Sequence, residues 1–152
     1  MLETGQIAPA FSARYEDGTE LSLEGLRGQT VILYFYPKDD TPGCTVEACT
    51  FSENLSAFND LKAHVIGVSK DSMESHKKFR DKYGINFTLL SDPEGKLCEA
   101  YGVWIEKSMY GRKYMGIDRS TFVIAPDGII KALWRGVKVP GHIGEVIKSI
   151  AP

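Results

Sequence analysis

The chain has 152 residues, 43% of them apolar and 25% charged, with a formal net charge of −2, the profile of one domain able to bury its own core. Lys and Arg are interspersed with Asp and Glu, so no basic patch favours a nucleic acid. No apolar run approaches the ~20 residues of a membrane-spanning helix, and MLETGQIAPAF has neither the basic start nor the apolar stretch of a signal peptide; a cytoplasmic protein without membrane contact is expected.

In chain order, the first clear strand is Thr30–Tyr36 (TVILYFY), continuously apolar and rich in β-branched and aromatic residues, as in a strand covered on both faces. Pro37 ends it, and the polar loop KDDTPG follows. From Thr45 to about Leu61 the apolar residues Val46, Phe51, Leu55, Phe58 and Leu61 recur at helical spacing and predict one long helix. His64–Val68 is a second buried strand. Asp71, with Glu74 three residues on, has the pattern of a capping box for a helix running to about Tyr83, where Gly84 stops it. Phe87–Leu90 is a short strand, followed by a turn and helix in SDPEGKLCEAYGV. An extended pair is expected over Tyr110–Ile117 around Gly111. Ser120–Ala125 and Ile129–Trp134 flank Pro126-Asp127-Gly128, a strong hairpin signal, and a last helix covers His142–Ile150. This order, β-α-β-α-β-α-β-β-α, implies a layered α/β domain with parallel pairs first and an antiparallel hairpin on a mixed sheet. No repeat or linker interrupts it, so a single domain over residues 1–152 is expected.

Three cysteines are an odd count and too few for a disulfide framework, which points to catalytic, redox-active or buried thiols. Cys44 stands out. It opens the long helix just after Thr41-Pro42-Gly43, where free N–H groups and the positive end of the helix dipole stabilise a thiolate. The loop leaves the carboxyl edge of the sheet, where α/β folds commonly hold ligands, and Gly43 lets backbone approach a small ligand closely. The competing reading is a small buried core residue.

The run YFYPKDDTPGCTVEAC resembles the active-site signature of peroxiredoxins, P-x-x-x-T/S-x-x-C, here Pro37, Thr41 and Cys44. With a second cysteine five residues on, it is similar to the bacterioferritin comigratory protein or peroxiredoxin Q subfamily. The likeness extends along the chain through G-x-x-A-P-x-F at Gly5–Phe11, GVS-x-D at Gly67–Asp71 and RSTFVI at Arg119–Ile124. It implies a thioredoxin-like α/β fold, a central mixed sheet flanked by helices, and a monomer. It also implies a peroxidase without a cofactor, acting on hydrogen peroxide and organic hydroperoxides. Cys44 would attack, Thr41, Gly43 and Arg119 would help bind the peroxide, and Pro37 would close the pocket and restrict water. The chemistry agrees: the Thr41 hydroxyl can hydrogen-bond the peroxide and the sulfur. A permanently charged Arg119 would favour the thiolate and stabilise charge on the leaving oxygen.

Attack leaves a sulfenic acid that must be captured by a thiol before it oxidises further. The resemblance assigns this resolving role to Cys49, and the reduction of the resulting disulfide to thioredoxin or a similar dithiol. On a regular helix the Cα atoms of Cys44 and Cys49 would be roughly 8–9 Å apart, beyond the ~7 Å limit of a disulfide, so the helix must unwind locally. Cys98, in GKLCEAYGV, reads as structural. His64, His76 and His142 are scattered and give no metal motif. Two other classes compete: a general thiol–disulfide oxidoreductase, against which the absence of C-x-x-C counts, and a noncatalytic module on the same fold.

Overall fold

The computed structural model describes residues 1–15 and 18–152. Its first elements are a short antiparallel pair, β1 (Ser12–Tyr15) and β2 (Glu20–Ser22). Then come β3 (Thr30–Phe35), α1 (Pro42–Glu53), α2 (Leu55–Asp60), β4 (Ala63–Ser69), α3 (Met73–Tyr83), β5 (Thr88–Ser91) and α4 (Lys96–Ala100). A hairpin of β6 (Trp104–Met109) and β7 (Arg112–Ile117) stands apart from the main sheet. β8 (Ser120–Ile124), β9 (Ile130–Trp134) and α5 (His142–Ile150) complete the described elements.

Seven of the described strands form one mixed sheet in the order β2-β1-β5-β4-β3-β8-β9. β3, β4 and β5 run parallel, whereas β8 lies antiparallel to β3 and β9 antiparallel to β8. The expected α/β class and thioredoxin-like mixed sheet are present. The apolar run of β3 has its physical reason here: Val31, Leu33 and Phe35 face one core with Tyr101 and Phe122, while Ile32, Tyr34 and Tyr36 face another with Phe51, Phe58 and Phe79. Cys44 belongs to the second core.

Three expectations change, and one pair of strands was not foreseen. The helix predicted from Thr45 to Leu61 is two helices, because Asn54 leaves helical geometry (φ −103°, ψ 9°) and its Nδ2 donates to the Thr50 carbonyl at 2.8 Å. The cap of α3 is Ser72, whose hydroxyl accepts the Ser75 N–H at 3.1 Å; the Asp71 carboxylate instead accepts from Ser69 Oγ and the Asp39 N–H. The extended pair begins at Trp104 and turns at Tyr110-Gly111, both at positive φ. β1 and β2, short and partly polar, had no clear sequence signal. Among the described residues, no helix is long and apolar enough to cross a membrane.

Candidate active site

Three stretches distant in sequence meet at the carboxyl end of β3. Loop 37–41 leaves the strand there and α1 begins with Pro42 in its first turn. The β3–β8 register sets Ser120 opposite Phe35, so Arg119, the residue before β8, arrives beside the start of α1. Cys44 lies in that first turn and is only 2% exposed. Arg119 Nη2 donates to Cys44 Sγ at 3.4 Å and Nη1 donates to Glu47 Oε1 at 2.6 Å. The guanidinium thus spans one helical turn, with a sulfur at one prong and a carboxylate at the other. Gly43 makes room for it: a Cβ there would lie 3.1 Å from Nη2.

Thr41 immediately precedes the helix in extended backbone, and its carbonyl accepts the Thr45 N–H at 2.8 Å. Its hydroxyl donates to the Lys38 carbonyl at 2.8 Å. The proton is therefore directed within the loop rather than at the sulfur, leaving the oxygen lone pairs to accept from an incoming O–H. Pro37, expected to close the pocket, ends the strand and is exposed. Cys49 is half-buried further along α1, and all three cysteines are free thiols.

Burial pushes the Glu47 carboxyl up to about 7, against the opposing pull of Arg119. Its Oε2 is buried and has no hydrogen-bond partner. Burial works against the charged form of Arg119, but Glu47 and Cys44 more than offset it and hold the guanidinium above its ordinary value. Burial, then the charge of Glu53, raises the Cys49 thiol. Lys107 on β6 is lowered chiefly by burial and feels Asp118, Arg119 and Cys44, so the β6–β7 hairpin borders the site.

The structure thus brings Thr41, Gly43, Cys44 and Arg119 together. Cys98 is apart from them, fully buried, and its N–H donates to Asp92 Oδ2 at 2.9 Å. Burial and then Asp92 hold its thiol far above the ordinary range, which makes it a poor nucleophile. Sequence reasoning missed Glu47. Its one signal was a position three residues after Cys44, hence on the same helix face. Among the described residues, no group of three or more His, Cys, Asp or Glu side chains could hold a metal ion.

Residues 4–133 match the AhpC/TSA family. Peroxiredoxin Bcp of Bacillus subtilis is 46% identical over 149 residues, covering 98% of this chain and 95% of that protein. The crystal structure of a mutant PrxQ from Xylella fastidiosa superposes with a TM-score of 0.92 at 40% identity, over 97% of this chain and 94% of that one. A structure from work on the alkyl peroxide reduction activity of Xanthomonas campestris bacterioferritin comigratory protein gives a TM-score of 0.88 at 41% identity, over 92% and 89% of the two chains. A buried thiol at a helix start, bonded by an arginine from the neighbouring strand, fits what these likenesses indicate. The chain belongs to the AhpC/TSA family as a peroxiredoxin of the Bcp type, a thiol-dependent peroxidase.

Proposed function

We propose that Cys44 is the sulfur that attacks the peroxide, that Thr41, Gly43 and Arg119 bind the peroxide with Pro37 at the border of the site, and that Cys49 resolves the product. The observation that carries this reading is the 3.4 Å hydrogen bond from Arg119 Nη2 to the buried Cys44 Sγ. The thiolate takes the nearer peroxide oxygen and the O–O bond breaks. Sulfur becomes a sulfenic acid, and the other oxygen takes up a proton and leaves as water or an alcohol. Arg119 stabilises the thiolate before attack and the developing negative charge during it. Thr41 accepts the peroxide O–H and so orients the molecule. The substrate class is hydrogen peroxide and organic hydroperoxides, the latter supported by the alkyl peroxide activity of the Xanthomonas relative.

The sulfenic acid then condenses with the Cys49 thiol, releasing water and forming the Cys44–Cys49 disulfide. Because α1 is continuous through both cysteines, their helical separation of roughly 8–9 Å requires local unwinding before the sulfurs can bond. Thioredoxin or a similar dithiol returns both thiols by exchange. We assign this cycle to a single peroxiredoxin domain over residues 1–152, acting as a cytoplasmic monomer; three cysteines, an odd count too small for a disulfide framework, suit a reducing compartment.

Peroxide consumption with a thioredoxin system tests the assignment. Cys44→Ser is expected to consume none, and Cys49→Ser to react once and then stall. Sustained turnover by Cys44→Ser overturns the first role, and wild-type steady turnover by Cys49→Ser overturns the second.

A further inference from the structure

The loop that delivers Cys44 is itself held by a buried polar cluster. Asp39 is 7% exposed, and His76, on α3, is fully buried. His76 Nδ1 lies 2.7 Å from Asp39 Oδ2, and Nε2 lies 2.9 Å from the Leu90 carbonyl oxygen. The Tyr36 hydroxyl donates to Asp39 Oδ1 at 2.5 Å and the Ser75 hydroxyl to Oδ2 at 2.8 Å. The Asp39 N–H is engaged as well, donating at 2.8 Å to Asp71 Oδ2, which also accepts from Ser69 Oγ at 2.6 Å. Residues Ser69 and Asp71 of the GVS-x-D motif thus hold the backbone of this loop, while α3 holds its side chain.

A carbonyl oxygen only accepts, so Nε2 carries a proton. The Asp39 carboxyl accepts from two hydroxyls and shares a further hydrogen bond with Nδ1. The ring is thus tied at both nitrogens, to the loop through Asp39 and to β5 through the Leu90 carbonyl.

We propose that the His76–Asp39 pair is a positioning device for the peroxide-binding loop, an inference that rests on Cys44 being the attacking sulfur. It holds residues 38–41 against α3, so the geometry of Thr41 and Cys44 is set before peroxide arrives. It also sets the upstream boundary of unwinding: the loop stays anchored while α1 opens beyond Thr41. Removing one member of this buried, hydrogen-bonded pair leaves polar atoms of the other without a partner, at a cost that keeps the loop anchored. The neighbouring tie is of another kind. Asp40 accepts from Lys82 Nζ at 2.8 Å and the Tyr83 hydroxyl at 2.6 Å, but the pair is solvent-exposed and contributes little.

Separate kinetics of the two chemical steps tests the proposal. Stopped-flow kinetics separates peroxide attack from disulfide formation in His76→Gln and Asp39→Asn, each checked for cooperative melting. Attack is expected to slow about tenfold or more, as misplacement of a reacting group would cause, while disulfide formation stays within about twofold. An unchanged attack rate, or both steps slowed in parallel, overturns the proposal. Lys82→Ala serves as the exposed control, with both steps within about twofold of wild type. Ser75→Ala removes one donor from Asp39 and leaves the ring in place, so it decides the matter if the buried variants do not fold. A loss confined to attack supports the positioning role, and no loss overturns it. Peroxide turnover by Cys44→Ser would instead bring down the underlying reading of the site, whatever the state of His76.

Discussion

Arg119 divides its fork between a sulfur that must stay reactive and a carboxylate that keeps the guanidinium in place. Glu47 is fully buried with one oxygen unpartnered, so its ionisation has a cost that the Arg119 bond only partly offsets. The sign of that cost is fixed. Burial raises the carboxyl from an ordinary value of 4.5 to about 7 in the folded protein. Between those values the folded state keeps a proton that the unfolded chain has lost, so stability falls as pH rises across the interval. Above about 7 the full penalty is present, on the order of 3 kcal/mol. Glu47→Gln cannot titrate and lacks this slope. Urea unfolding over the same pH interval should show wild-type stability declining relative to Glu47→Gln. Parallel pH dependence in the two proteins would show that Glu47 does not titrate there.

At the scale of the element, α1 gathers Pro42, Gly43, Cys44, Glu47 and Cys49 on one helix. Glycine in a helix interior costs ~1 kcal/mol relative to alanine, less in the first turn, and close approach explains its presence at 43. A methyl group there would meet Arg119 Nη2 at 3.1 Å, while Glu47 holds the other prong at 2.6 Å. Gly43→Ala is therefore expected to leave thermal stability unchanged or slightly raised and to slow peroxide attack about tenfold by displacing the guanidinium from the sulfur. Attack at the wild-type rate would remove close packing as the reason for the glycine. The same helix shows what could be read from sequence. Pro37, Thr41, Gly43 and Cys44 lie within eight consecutive positions, so their proximity needed no tertiary information. Arg119 was legible only through the family signature, because the β3–β8 register brings it to the thiol. Glu47 carried no mark of its own, since a lone glutamate on a helix has no role until Arg119 supplies its partner, and Asp39 and His76, 37 residues apart, needed the fold to meet. The break at Asn54 was hidden because apolar spacing continues through it, and Asp71 resembled a cap because Ser72, the true one, is its neighbour.

Across the whole molecule, the sheet carries a core on each face, and the face bearing Cys44 is closed by aromatic rings. Tyr34 is fully buried there, stacked on Phe51 of α1 at 4.6 Å between centroids and edge-on to Phe87 at 5.9 Å. Its ring passes over the adjacent strand at Gly67, which pairs with Tyr34 on one side and Leu89 on the other. A Cβ at 67 would lie 2.9 Å from both Cζ and the hydroxyl of Tyr34 and 3.0 Å from Leu89 Cδ2. Gly67→Ala is thus an overpacking change between central strands, expected to cost ~1–3 kcal/mol. The Tyr34 hydroxyl is buried and lacks a hydrogen-bond partner, so Tyr34→Phe is expected to be neutral or stabilising by about 1 kcal/mol. Removing that oxygen also relieves part of the crowding at residue 67. The two substitutions should therefore be non-additive, the double variant being more stable than the sum by about 0.5 kcal/mol or more. Denaturant unfolding of the four proteins, with unchanged slopes, measures the coupling. Strict additivity would refute the close approach, and a Tyr34→Phe loss above ~1 kcal/mol would mean that the hydroxyl is satisfied by a buried water.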